Sequence, residues 1–129
     1  MSETPKPETG AIGWTDLTVD NAESIRDFYA SVTGWKPSPV SMGDYEDFNM
    51  CAPDSGQPMT GICHARGGNA DLPPAWLIYI TVEDVDLSAA TCTEKGGEIL
   101  LGPKDMGEMG RYCVIRDPAG AVAALFAYK

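Results

Sequence analysis

A chain of 129 residues has the length of one domain and is long enough to bury a core without disulfide or metal staples. Hydrophobic residues make up 43% and charged residues 22%, an ordinary globular composition. Nineteen acidic against nine basic residues give a formal net charge of -10, which argues against nucleic acid and against a polyanionic membrane surface as partners.

The first ten residues are polar and interrupted by Pro5, Pro7 and Gly10, and read as a disordered leader without the apolar stretch of a secretory signal. Ile12 to Val19 is rich in Trp, Thr and Val and alternates side to side, which predicts a strand. Asp20, with Glu23 three positions on, is the expected cap of a helix whose Ile25, Phe28, Tyr29 and Val32 fall on one face. Gly34 stops it. Trp35 to Val40 carries two prolines and is restricted to a short edge strand or loop. Tyr45 to Cys51 and Met59 to Ala65 are the next strands, separated by the turn Pro53-Asp54-Ser55-Gly56.

Arg66 to Pro74 is a hinge of Gly, Asn and Pro, after which the pattern restarts. Trp76 to Val82 is a strand, Asp84 caps a helix running to Lys95, and Gly96-Gly97 ends it. Glu98 to Leu101, Arg111 to Ile115 and Ala121 to Tyr128 are three further strands, the last two joined by Asp117-Pro118-Ala119-Gly120. The segment Gly102 to Gly110, with Met106 and Met109 among its glycines, is expected to be a pliable connection that permits lid motion or serves as an ordinary long link.

Each half therefore reads β-α-β-β-β, and the halves align at an offset of 63. Thr18-Val19-Asp20-Asn21 falls on Thr81-Val82-Glu83-Asp84, Leu17 on Ile80 and Gly34 on Gly97. Strand, cap, helix and stop glycine matching together point to an internal duplication. The expected organisation is one α+β domain over 11–129, with module one at 11–66 and module two at 75–129. Strand alternation assigns Leu17, Val19, Ile78, Ile80 and Val82 to the helix side. It leaves Ile12, Trp14, Asp16, Thr18, Leu77, Tyr79 and Thr81 on the other face, a mixed aromatic and polar surface suited to a small molecule.

Asp27-Phe28-Tyr29 before Gly34-Trp35, the stretch from Trp76 through Tyr79 to Val85-Asp86, and Gly110-Arg111 ahead of Asp117-Pro118-Ala119-Gly120 together resemble the vicinal oxygen chelate superfamily. That superfamily includes glyoxalase I, extradiol dioxygenases and the bleomycin and fosfomycin resistance proteins. The resemblance implies two βαβββ modules forming a cup-shaped open barrel, and a homodimer. It also implies a divalent metal held by first and last strands, at positions that fall on Trp14, Leu77, Cys63 (or His64 in a slipped register) and Ala124. Trp, Leu and Ala offer a metal no lone pair, so no metal and no cofactor are expected.

The sequence holds one histidine, His64, which reads either as an edge imidazole or as a pocket acid-base group. Asp16 reads as a rim carboxylate or as the partner of a cationic ligand. Tyr79 and Tyr112 read as packing residues or as hydroxyls that orient a ligand. Cys63 reads as an apolar thiol, with a nucleophilic role as the lesser alternative. The four cysteines (Cys51, Cys63, Cys92, Cys113) form no CxxC, which suits a reducing cytoplasm.

The expected function is metal-free binding of an apolar or aromatic small molecule, cationic ones included, in the cup, with sequestration of an antibiotic or toxin as one form of it. Trp14, Asp16, Cys63, Leu77, Tyr79, Met106, Met109 and Tyr112 are the expected lining. The alternatives are a metal-dependent lyase, isomerase or dioxygenase of glyoxalase I type with relocated ligands, and a plain interaction module.

Overall fold

The computed structural model describes residues 6–129. The chain divides into two compact units, one spanning Trp14–Trp76 and one made of Leu77–Lys129 with the segment that ends at Gly13. Part of the expected leader, residues 1–5, lies outside the described residues. Residues 6–10 form neither helix nor strand, and Gly10 is tied down through its N–H to the Thr81 carbonyl at 2.8 Å.

In the first unit, β1 (Ile12–Val19) leads into α1 (Ala22–Thr33), then β2 (Lys36–Ser41), β3 (Glu46–Cys51) and β4 (Pro58–His64). The strands lie in the order β2-β3-β4-β1. β1 runs parallel to β4, the long connection between them passing through α1, β2 and β3, and the other pairs are antiparallel. Ala22, Phe48, Met50 and Ile62 form the buried core beneath α1, with Val19, Ile25, Tyr29, Ala30 and Trp35 packed on it. Phe48 lies opposite Ile62 across the ladder, so the core is built on a cross-strand pair.

Two expectations about α1 need correction. The residue that flanks the helix start is Asn21 rather than Asp20; its side chain makes no capping bond, and its carbonyl accepts from the Ser24 hydroxyl at 3.1 Å. The expected apolar face is only half used. Ile25 and Tyr29 pack inward, whereas Phe28 is 54% and Val32 64% exposed. The stop is as expected: Gly34 takes φ 83 and its N–H bonds the Ala30 carbonyl at 3.1 Å.

The second unit repeats the plan. β5 (Trp76–Thr81) precedes α2 (Val85–Glu94), β6 (Glu98–Met106), β7 (Gly110–Arg116) and β8 (Val122–Tyr128), in the sheet order β5-β8-β7-β6. Asp84 caps α2, its carboxylate accepting from the Leu87 N–H at 3.1 Å. Val85, Ala89, Cys113 and Leu125 form the core beneath α2. In unit one Asp16 pairs with Gly61; in unit two Tyr79 pairs with Ala124. Both partners are displaced by the same 63 residues (16 to 79, 61 to 124), so the duplication extends to the hydrogen-bond register.

The segment from Gly102 to Gly110 is no long pliable link. β6 continues to Met106 and pairs with β7 through Lys104–Tyr112, Asp105–Arg111 and Met106–Gly110, with irregular register on either side of Leu101. Gly102 takes φ 78, and a Cβ there would stand 2.8 Å from the Tyr112 carbonyl oxygen. The glycine and proline that suggest a loop are accommodated as an irregularity within the strand, and only Gly107–Met109 turns.

Candidate functional site

On β1 of the first unit, Trp14, Asp16 and Thr18 share the face opposite Leu17 and Val19. Their neighbours in register on β4 are Gly61 beside Asp16 and Cys63 beside Thr18. An ideal Cβ on Gly61 would lie 3.3 Å from the Asp16 Cβ and 3.6 Å from the Trp14 ring. The missing side chain thus lets β4 lie close against Asp16 and Trp14, where even a methyl group would be crowded. Burial pushes the Cys63 thiol far above its ordinary value, and the Asp16 and Asp47 carboxylates push it in the same direction. Cys63 is therefore held as a neutral thiol, which suits packing and opposes nucleophilic use.

Asp47 is buried and its Oδ1 accepts the His64 backbone N–H at 2.9 Å, with His64 Nδ1 at 3.2 Å. The imidazole packs edge-on to Tyr45 at 5.5 Å and against Phe48 at 6.2 Å. Arg66 stacks over the Tyr45 ring at 3.9 Å. His64 is thus a half-buried residue held by a carboxylate. Sequence reasoning missed Asp47, although Phe48 and Met50 at core positions already place it on the opposite side of β3.

In the second unit Leu77, Tyr79 and Tyr112 are buried. The Tyr79 ring lies 6.4 Å from Phe126, on which Tyr112 stacks at 6.5 Å. Met106 and Met109 flank the β6–β7 turn and are exposed. The structure thus brings together Trp14, Asp16 and Cys63 of unit one. Tyr79 and Tyr112 meet within an aromatic cluster of unit two, around Phe126.

The metal expected of this kind of fold has no suitable donors at the corner positions. Trp14, Leu77 and Ala124 carry no lone pair for a metal, and the single Cys63 thiol cannot hold a divalent ion alone. The register also makes Gly61, rather than Cys63, the unit-one counterpart of Ala124. Among the described residues, no three His, Cys, Asp or Glu side chains gather where they could hold a metal ion.

A separate cavity of about 310 Å³ opens on the helix side of the first unit. Leu17 and Val19 of β1, Ile25, Phe28 and Tyr29 of α1, and Pro74 and Trp76 line it. Rings dominate its walls: Tyr29 meets Phe28 edge-on at 5.1 Å and Trp76 at 5.2 Å. None of the eight residues expected to contact a ligand lines this cavity. The signal that it existed was Phe28, an aromatic assigned to a face that the core does not fill.

The sequence model of a family described as the Glyoxalase/Bleomycin resistance protein/Dioxygenase superfamily matches residues 11–125. A protein of Mycobacterium bovis named "Putative glyoxylase CFP32" is 31% identical over 115 residues, covering 89% of this chain and 43% of that protein. The "Anthracycline biosynthesis protein DnrV" of Streptomyces peucetius is 30% identical over 128 residues, covering 91% of this chain and 46% of that protein. The chain therefore spans less than half the length of these curated relatives. Streptomyces coelicolor methylmalonyl-CoA epimerase is similar in fold, with a TM-score of 0.58 at 15% identity over 94% of this chain and 96% of that one. Among the described residues, no helix is long and apolar enough to cross a membrane.

Proposed function

The chain belongs to the Glyoxalase/Bleomycin resistance protein/Dioxygenase superfamily, and we propose that it serves there as a metal-free binder of a small aromatic, cationic organic molecule. The observation that carries this reading is that Trp14 and Asp16 share one face of β1 and both lie against Gly61 of β4. A ring stacks on the indole, and an ammonium group meets the carboxylate. The net charge of -10 draws cations toward the protein from a distance. The Streptomyces relative is named for anthracycline biosynthesis, and an anthracycline is a fused-ring aromatic compound, the class that this arrangement suits. The same reading includes sequestration of a toxic compound, which needs affinity alone, a cytoplasmic location, and a two-fold dimer with twice the 13.8 kDa chain mass.

The test is a thermal-shift comparison of 2-naphthylmethylammonium with neutral 2-methylnaphthalene. The cation is expected to raise the melting temperature more than the neutral ring. Asp16→Asn is expected to abolish that difference while leaving the neutral ring's effect in place. Equal responses in the parent chain overturn the cationic preference.

The name of the mycobacterial relative favours a second reading, a metal-dependent lyase, isomerase or dioxygenase. Stabilisation by about one equivalent of zinc, nickel, manganese or iron would establish it and would overturn the metal-free reading.

A further inference from the structure

We propose that the cavity between β1 and α1 is a second binding site, for a planar aromatic molecule that carries a carbonyl or similar acceptor oxygen. It is distinct from the strand-face site, because Leu17 and Val19 point away from Trp14 and Asp16 by strand alternation. Three features define its ligand. Its volume of about 310 Å³ lies at the small end of ligand pockets, enough for two or three fused rings. Its floor is aliphatic, from Leu17, Val19 and Ile25, and its walls are the Phe28, Tyr29 and Trp76 rings. Phe28 is left 54% and Trp76 37% exposed, so apolar ring surface stands uncovered at the rim. Such walls select a flat ring by edge and face contacts.

The third feature is a single polar group. Trp76 Nε1 donates to the Tyr29 hydroxyl at 3.1 Å. This bond fixes the indole and occupies an acceptor lone pair of the phenol. No hydrogen bond among the described residues uses the phenolic proton of Tyr29. It remains available to a ligand oxygen, and one oriented donor in an apolar cavity distinguishes a ketone from a plain hydrocarbon. The preference expected from one neutral hydrogen bond is roughly fivefold.

The three indole N–H signals in a two-dimensional ¹H–¹⁵N spectrum read this out directly, with 1-tetralone and tetralin as probes. 1-Tetralone is expected to shift the Trp76 signal, with Trp35 beside it, in a saturable manner and to leave Trp14 in place. Tetralin is expected to bind the same site roughly fivefold more weakly. Tyr29→Phe, which keeps the ring, is expected to make the two probes equal. Ile25→Phe, checked for native circular dichroism, is expected to fill the cavity and abolish both responses.

Absence of a saturable shift at Trp76, equal affinities in the parent chain, or binding that survives Ile25→Phe would each overturn the proposal. So would a dimer in sedimentation that Phe28→Glu dissolves, since the surface is then covered by a second copy. A response of Trp14 alone would overturn this site and leave the strand-face reading intact.

Discussion

Gly61 and Gly102 show two different uses of a missing side chain. At Gly61 no left-handed φ requires glycine, and the gain is a close approach of the strand to Asp16 and Trp14. Gly61→Ala is expected to displace Asp16, weakening the strand-face ligand several-fold and lowering the melting temperature, which calorimetric titration and a thermal melt together check. At Gly102 the left-handed φ of 78 and the 2.8 Å approach of the Tyr112 carbonyl both exclude a Cβ. Gly102→Ala is therefore expected to cost at least about 1–2 kcal/mol from the backbone conformation alone, read by urea denaturation. The first role was partly legible in the sequence, since alternation placed Trp14 and Asp16 on one face. The second was not, because a Gly-Pro pair carries the same local signal in a loop as in an irregular strand.

The elements themselves were legible wherever a period and a stop signal coincided. α1 ends at Gly34 and α2 begins at Asp84 because a left-handed glycine and a capping carboxylate are local chemistry. Asp84→Ala is expected to lower stability by about 1 kcal/mol, measured by chemical denaturation, since it removes the acceptor for the Leu87 N–H. The inward face of α1 was only half legible. Spacing shows which residues share a helix face, but not how wide a core waits beneath it, and so Phe28 and Val32 were assigned to a core that does not reach them. Asp47 escaped notice for a related reason: its bonds to His64 close across strands 17 residues apart, a relation that no local pattern carries.

Across the whole molecule, the duplication was the most informative feature of the sequence, and its offset of 63 survives into the pairing of single residues. What the repeat does not determine is the chemistry at equivalent positions, where Asp16 and Gly61 in one unit answer to Tyr79 and Ala124 in the other. The thiols give each unit a response to alkali. Burial raises the Cys113 thiol from its ordinary 9.0 to about 11, and raises Cys63 further. Because the unfolded chain ionises first, stability is fully present below about pH 9 and falls as pH climbs toward 11. Melting temperatures between pH 8 and 11 are expected to trace that decline, and Cys113→Ala is expected to make it shallower while Cys63 maintains the rest.

The rim of the first unit's sheet is formed by β2, exposed along its whole length, with Pro37 and Pro39 two residues apart. Proline has no amide hydrogen, so another copy arriving alongside that border meets two gaps where a ladder would need donors. Edge addition there is weakened by two missing donors in the covalent structure. The bare border of β2 is thereby a poor template for a further strand.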